Sequence, residues 1–391
     1  MIKKTIKDIG VKDKSVLVRV DYNVPLDDEG IIVDDNRIKA SLPTLTYLID
    51  HGAKVIVVTH VGRPKGIVEE KLKTDNAAKE LSTLLGREVK KVNDCVGPEV
   101  KEAVSQMKEG DVLMLENVRF NKQEKENDPD FARELASLAD IFVLDGFGVS
   151  HRDQTSVTGV THYLPSVLGL LMEKEVETLT KVRENPEKPL IVVMGGVKLE
   201  TRIPMIDEFV EKADKILFGG AMIFTFFKAM GKEIGSSLVD ENFVDAAKKI
   251  LEKYPDKLVF PQDVVVALKL EEGVESQIVS IDDIPPDMMG LDVGPKTVDS
   301  FYNECRDAKT IIWNGPLGAF EIPPFDKGTK EFAEKIATLS AFTLIGGGDT
   351  AAALEKDGLD QKMDFVSTGG GASLTLLEGK SLPGFEALND A

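Results

Sequence analysis

Pro189–Lys198 reads PLIVVMGGVK. Leu190–Met194 is apolar throughout, with no polar alternation, as in a strand covered on both faces. Two glycines and a lysine follow at once. The same order, an apolar run and then a polar or glycine-rich turn, recurs in both directions along the chain. On the N-terminal side the runs are Ser15–Val20, Lys54–Thr59, Val112–Leu115 and Ile141–Asp145. On the C-terminal side they are Lys215–Phe218, Val264–Ala267, Thr310–Trp313 and Phe342–Ile345. The segments between them read as helices. Asp128-Pro129-Asp130, for instance, offers an N-cap, a first-turn proline and an early acid, and Phe131, Leu135 and Leu138 then follow at helical spacing. Such alternation predicts an α/β protein of two doubly wound domains, each with a mostly parallel sheet of about six strands flanked by helices.

The domain change is expected in the long helical pattern Pro165–Glu184, which ends at the polar, proline-broken stretch Asn185–Pro189. This predicts domains over residues 1–170 and 171–376 joined by a long interdomain helix, with residues 377–391 packing back on the first. The charge run Asn121–Asp130 reads as a solvated loop.

Composition narrows the function. There are 48 Lys and Arg against 67 Asp and Glu, a formal charge of −19, which disfavours nucleic acid and anionic membrane as partners. At 42% hydrophobic and 29% charged residues the chain is an ordinary globular protein, not a disordered or collagen-like one. Its two cysteines, Cys95 and Cys305, form no CxxC pair. No apolar run approaches the ~18 residues of a membrane span, and the opening MIKKTIKDIG has no signal-peptide core. The expectation is a cytoplasmic monomer acting on small molecules.

In open parallel sheets ligands bind beyond the carboxyl ends of the strands. In the first half those positions hold Asp21 and Asn23, His60 and Arg63, Arg119, and His151-Arg152, with Arg37 shortly after the first strand. The chain has only ten arginines, and four of them lie just past strand ends. A guanidinium fork fits carboxylate and phosphate in two places at once, so this concentration points to a small polyanion. In the second half the strand ends are glycine-rich: Gly195-Gly196 with Lys198, Gly219-Gly220, Asn314-Gly315, Gly346-Gly347-Gly348 and Gly369–Gly371. Glycine allows close backbone approach, and a following helix N-terminus presents free N–H groups to phosphate. Asp349 and Thr350 open such a helix, and Asp349 could hold Mg2+ on the phosphates. No GxxxxGK[ST] occurs, so this is not an ordinary P-loop. An anion site in one half and a nucleotide-phosphate site in the other is the layout of a two-domain phosphoryl-transfer enzyme.

The sequence resembles phosphoglycerate kinases over almost its whole length. The resemblance is carried by VRVDYNVPL (Val18–Leu26), THVGRPKG (Thr59–Gly66), MLENVRF (Met114–Phe120), DGFGVSHR (Asp145–Arg152), GGVKLETR (Gly195–Arg202), WNGPLGAFE (Trp313–Glu321), GGGDT (Gly346–Thr350) and STGGGASLTLLEG (Ser367–Gly379). It implies reversible phosphoryl transfer between ATP and the carboxylate of 3-phosphoglycerate, giving ADP and 1,3-bisphosphoglycerate. It also implies that Asp21, Asn23, Arg37, His60, Arg63, Arg119 and Arg152 hold phosphoglycerate. Arg37 is then the catalytic arginine that meets the transferring group, and Lys198 and Arg202 act from the nucleotide side. Gly219, Gly220, Asn314, Gly346, Gly347, Gly348 and Thr350 line the nucleotide phosphates, Gly346 and Gly347 also serving catalysis. Glu321 meets the ribose and Asp349 the magnesium. The acyl phosphate product must be kept from water, which asks the two domains to close. The chain departs from the family pattern at Arg202, usually lysine, and at Gly146, Gln154, Val197 and Ala221. A non-catalytic relative would have lost Arg37, Lys198 or Asp349, and all three are present. A kinase for a carboxylate without a phosphate would leave Arg63, Arg119 and Arg152 without purpose.

Overall fold

The computed structural model describes residues 3–391. The chain divides into two compact units. The first runs up to Thr178 and takes in Lys380–Ala391, and the second is Leu179–Gly379. The division falls inside the helix Leu170–Glu184.

The first unit is built on one sheet of six parallel strands: β1 Ser15–Arg19, β2 Lys54–Val58, β3 Val89–Lys91, β4 Val112–Met114, β5 Ile141–Leu144 and β6 Ser166–Leu168. Their order is β3-β4-β2-β1-β5-β6. The chain therefore winds one way from β1 through β2 and the other way through β5, so the strand order reverses between β1 and β5. The apolar residues of β1, β2 and β5 are buried, as their unbroken apolar runs require. The C-terminal tail closes this unit. Lys4 N–H donates to Asn389 O at 3.0 Å, Gly384 N–H to Ser150 O at 2.8 Å, and Lys3 Nζ to Leu388 O at 2.7 Å.

β6 lies inside the stretch that reads as the start of a helix. Ser166–Leu168 are buried against β5, in register with Phe142–Leu144, and the helix starts only at Leu170. Gly169 separates the two, because any Cβ there would strike the Asp145 carboxylate. Asp145 Oδ1 instead accepts the Leu171 N–H at 3.0 Å, capping the helix from a neighbouring strand. Burial pushes the Asp145 carboxyl up to about 7, against the hydrogen bonds it accepts.

The second unit has a sheet of six parallel strands: β7 Leu190–Met194, β8 Lys215–Phe218, β9 Leu258–Val259, β13 Thr310–Asn314, β14 Phe342–Gly346 and β15 Phe365–Val366. Their order is β15-β14-β13-β7-β8-β9, which reverses between β7 and β13. Trp313 is fully buried in it, with Phe332 edge-on at 5.1 Å. A second, three-stranded antiparallel sheet comprises β10 Asp263–Ala267, β11 Ser276–Ser280 and β12 Met289–Val293, in the order β11-β10-β12. Val264–Ala267 thus reads correctly as a strand but wrongly as a parallel one. The short connections on either side of β11 leave no room for a helical crossover, so the neighbours run antiparallel.

Candidate active site

Both sites form where the strand order of a sheet reverses, the place where open α/β sheets take ligands. In the first unit, the turns after β1, β2, β4 and β5 bring their polar residues together. Arg37 Nη1 donates to Asp21 Oδ2 at 2.6 Å, and Asp21 Oδ1 lies 3.7 Å from His60 Nδ1. Asn23 Oδ1 accepts the Gly62 N–H at 2.8 Å, and Arg119 Nη1 donates to Gly62 O at 3.0 Å. The Nε of Arg119 and Nδ1 of His151 are buried without a hydrogen-bond partner in the chain.

His60 is buried at 2% exposure and its imidazole is held well below the ordinary histidine range. Burial is the first cause, followed by the charges of Arg19, Arg119, Arg37 and Arg152. His60 Nδ1 faces Arg19 Nη2 at 3.2 Å, and a guanidinium can only donate. The ring is therefore neutral, accepts at Nδ1 and carries its proton at Nε2. Arg119 is lowered to about 10, first by burial and then by Arg19 and Arg152. A buried imidazole in the field of four guanidinium groups is a site that an anion would relieve.

Arg19 is the member that reading by strand ends passes over, because it is the last residue of β1. It is fully buried and donates from Nε to Ser156 Oγ at 2.8 Å. Ser156 Oγ in turn donates to Glu124 Oε1 at 2.7 Å, and Ser156 N–H to Glu124 Oε2 at 2.9 Å. Glu124 lies in the run expected to be a solvated loop, yet it is fully buried on the short helix Gln123–Glu126. The usable signal for Arg19 was a charge inside the apolar run SVLVRV.

In the second unit the glycine turns stack on one another. Gly195 N–H donates to Asn314 O at 2.8 Å, Gly196 N–H to Pro316 O at 3.1 Å, and Gly220 N–H to Leu317 O at 2.9 Å. A Cβ at Gly220 would strike the Gly196 backbone, and one at Gly195 the Gly315 and Pro316 carbonyls. Only glycine permits this approach, and Gly220 at φ +66° also needs its left-handed freedom. Thr350 Oγ1 accepts the Gly315 N–H at 2.7 Å, tying the helix Gly348–Glu355 to this turn. Asn314 is buried beside Gly346 and Gly347, and neither its Nδ2 nor its Oδ1 has a hydrogen-bond partner. A buried amide with both ends free of partners in the chain can pair with a polar ligand.

Arg202 lies in this cradle and not on an outer helix surface. Its Nε donates to Gly195 O at 2.8 Å, and its guanidinium lies against Gly196 and Gly315. Burial lowers its pKa, while the nearby Asp349 and Glu378 carboxylates raise it. We expect Arg202→Lys to retain much of the activity and Arg202→Ala to lose more than about tenfold in kcat/KM for ATP. Steady-state kinetics at fixed magnesium decide it. An alanine variant with wild-type turnover would make the cation dispensable.

Lys198, Glu321 and Asp349 are exposed. No hydrogen bond draws the Lys198 or Glu321 side chain into the cradle. Asp349 stands in the first turn of Gly348–Glu355. Among the described residues no cluster of three or more His, Cys, Asp or Glu could hold a metal. One carboxylate at a helix start suits a magnesium ion that arrives on phosphates and keeps most of its water, rather than a protein cage. Among the described residues, no helix is long and apolar enough to cross a membrane.

The comparisons with known proteins agree with this geometry. The phosphoglycerate kinase family model matches residues 6–380. Phosphoglycerate kinase of Dictyoglomus turgidum is 51% identical over 397 residues, covering 100% of both chains. The structure of phosphoglycerate kinase from Coxiella burnetii superposes with a TM-score of 0.86 at 38% identity, covering 98% of each chain. That from Pyrococcus horikoshii gives 0.88 at 32% identity, covering 99% of this chain and 98% of the other. With the family model matched over residues 6–380 and a relative 51% identical over the full length, the chain belongs to the phosphoglycerate kinase family.

Proposed function

We propose that this enzyme transfers a phosphoryl group reversibly between ATP and the carboxylate of 3-phosphoglycerate. The first unit holds phosphoglycerate and the second the nucleotide. The observation that carries the substrate assignment is the buried, neutral His60 among Arg19, Arg37, Arg119 and Arg152. That much cationic surface exceeds what one carboxylate needs and suits a ligand with both carboxylate and phosphate.

In the forward step a substrate carboxylate oxygen attacks the γ-phosphorus, the bond to the β,γ-bridging oxygen breaks, and ADP leaves with that electron pair. No proton is transferred, so the protein contributes placement and charge. Arg37 is pre-placed by Asp21 to meet the transferring group. Arg119, Arg152, Arg63 and His60 Nε2 bind the substrate anion. Asn314, the glycine N–H groups and Thr350 bind phosphate oxygens, and Arg202 and Lys198 offset charge from the nucleotide side. Asp349 would hold Mg2+, which when bound neutralises charge on the phosphate oxygens.

Transfer needs the reacting atoms about 3–3.5 Å apart, and the residues for each reactant belong to different units. The two units therefore close when both ligands are bound, and small-angle scattering should give a smaller radius of gyration with 3-phosphoglycerate plus nucleotide than with either alone. An unchanged value at saturation removes closure from this account. The buried free thiols Cys95 and Cys305 support a reducing, cytoplasmic setting. A coupled assay with ATP, magnesium and 3-phosphoglycerate tests the reaction, with acetate and carbamate as controls. Equal turnover of the controls would overturn the substrate assignment.

A further inference from the structure

We propose that Asn117 is a positioning residue for substrate binding, clamping the Arg63-bearing loop by both of its ends. The proposal rests on the reading of the first unit as the phosphoglycerate site. Asn117 is completely buried, directly after the Leu115-Glu116 segment that leaves β4. Its Nδ2 donates to Val61 O and to Leu72 O, each at 2.8 Å. Its Oδ1 accepts the Arg119 N–H at 3.1 Å. One amide thus uses both donors on the two ends of residues 61–72 and its acceptor on the turn that carries Arg119.

The loop needs such an anchor. It contains no strand, its only regular element is the short turn Glu70–Leu72, and Arg63, Lys65 and Ile67–Lys71 are exposed. At its base Gly62 is gripped on both sides, by Asn23 Oδ1 on its N–H and Arg119 Nη1 on its carbonyl. Asn117 takes the carbonyl of the preceding residue, Val61, and extends the grip to the far end at Leu72. Glu116 continues it. Its Oε1 accepts the Thr74 N–H at 2.9 Å and the Asn117 N–H at 2.8 Å, and its Oε2 meets Lys91 Nζ at 2.7 Å. Asn23, Arg63 and Arg119 therefore share one backbone reference, set by a side chain that does not touch substrate. Misplacing a binding group by about 1 Å can cost on the order of 10²-fold.

Asn117→Ser is too short to reach both carbonyls. Asn117→Asp keeps the acceptor and the volume but loses both donors. Calorimetric titration with 3-phosphoglycerate should show each variant binding about tenfold or more weakly, with KM for ATP within about twofold of wild type. On an Arg63→Ala background the same change should cost less, because one of the groups it positions is gone. Unchanged binding in Asn117→Asp would overturn the proposal, as would full additivity with Arg63→Ala or an equal loss for both substrates. If Arg63→Ala and Arg119→Ala themselves leave 3-phosphoglycerate binding intact, the substrate-site reading fails instead.

Discussion

Arg37→Ala lowers kcat by about 10²–10³-fold, the typical cost of removing one preorganised donor from a transition-state charge, while nucleotide affinity stays near wild type. The geometry gives the reason. Asp21 Oδ2 holds Arg37 Nη1 at 2.6 Å, so the guanidinium is oriented before substrate arrives. Its side chain is 30% exposed, so its remaining donors face a space that a ligand can enter. Arg37 belongs to the first unit, with the residues proposed for phosphoglycerate, so the loss is expected in the chemical step rather than in ATP binding. Pre-steady-state and steady-state kinetics, beside ADP titration, read the two separately. Turnover within about tenfold of wild type, or ~1.4 kcal/mol, would remove Arg37 from the catalytic role.

The largest stability effect is expected at Arg19. Replacing it with methionine fills most of the space but strips the charge from a wholly buried network. Glu124, joined to Arg19 only through Ser156 Oγ, keeps its Ser156 hydrogen bonds but loses the nearby cation that offsets its buried charge. Removing one partner of a direct buried charge pair costs about 3–5 kcal/mol; across the Ser156 bridge the loss should be smaller but still clear in denaturant unfolding followed by a probe in the first unit. Adding Glu124→Gln should restore part of it, since the abandoned charge is removed. His60 offers a second readout. After burial, the charge of Arg19 does most to hold that imidazole low, so its pKa should rise in Arg19→Met, visible by NMR. If the variant unfolds as wild type does and His60 titrates unchanged, the network is not what holds the anion site in place.

The sequence by itself determined the two parallel sheets and which polar residues stand beyond their strands. Unbroken apolar runs such as Leu190–Met194 can only be strands covered on both sides. The residues after them carry the chemistry because the carboxyl ends of parallel strands all open on one edge. That reasoning is local, and it put Asp21, His60 and Arg119, like the glycine turns, just beyond strand ends, where the structure has them. It misjudged β6 and the antiparallel β10–β12 sheet. Ser166–Leu168 fits a helical period as well as a strand, and whether neighbouring strands run parallel is set by the path of the chain between them.

Only the tertiary structure decided which charges are buried and what they face. Arg19 and Ser156 are 137 positions apart, and Glu124 and Ser156 are 32 apart. No period or motif joins such residues. Glu124 reads as solvated because acids in charge runs usually are, and it is buried because the β1 strand end brings Arg19 near it. Asn117 is likewise unremarkable in MLENVRF until its amide is seen to span Val61 and Leu72. Strand identity follows from the hydrophobic period along the chain. The partner of a buried polar group follows from desolvation, which penalises every unsatisfied donor and is settled only when distant segments pack together.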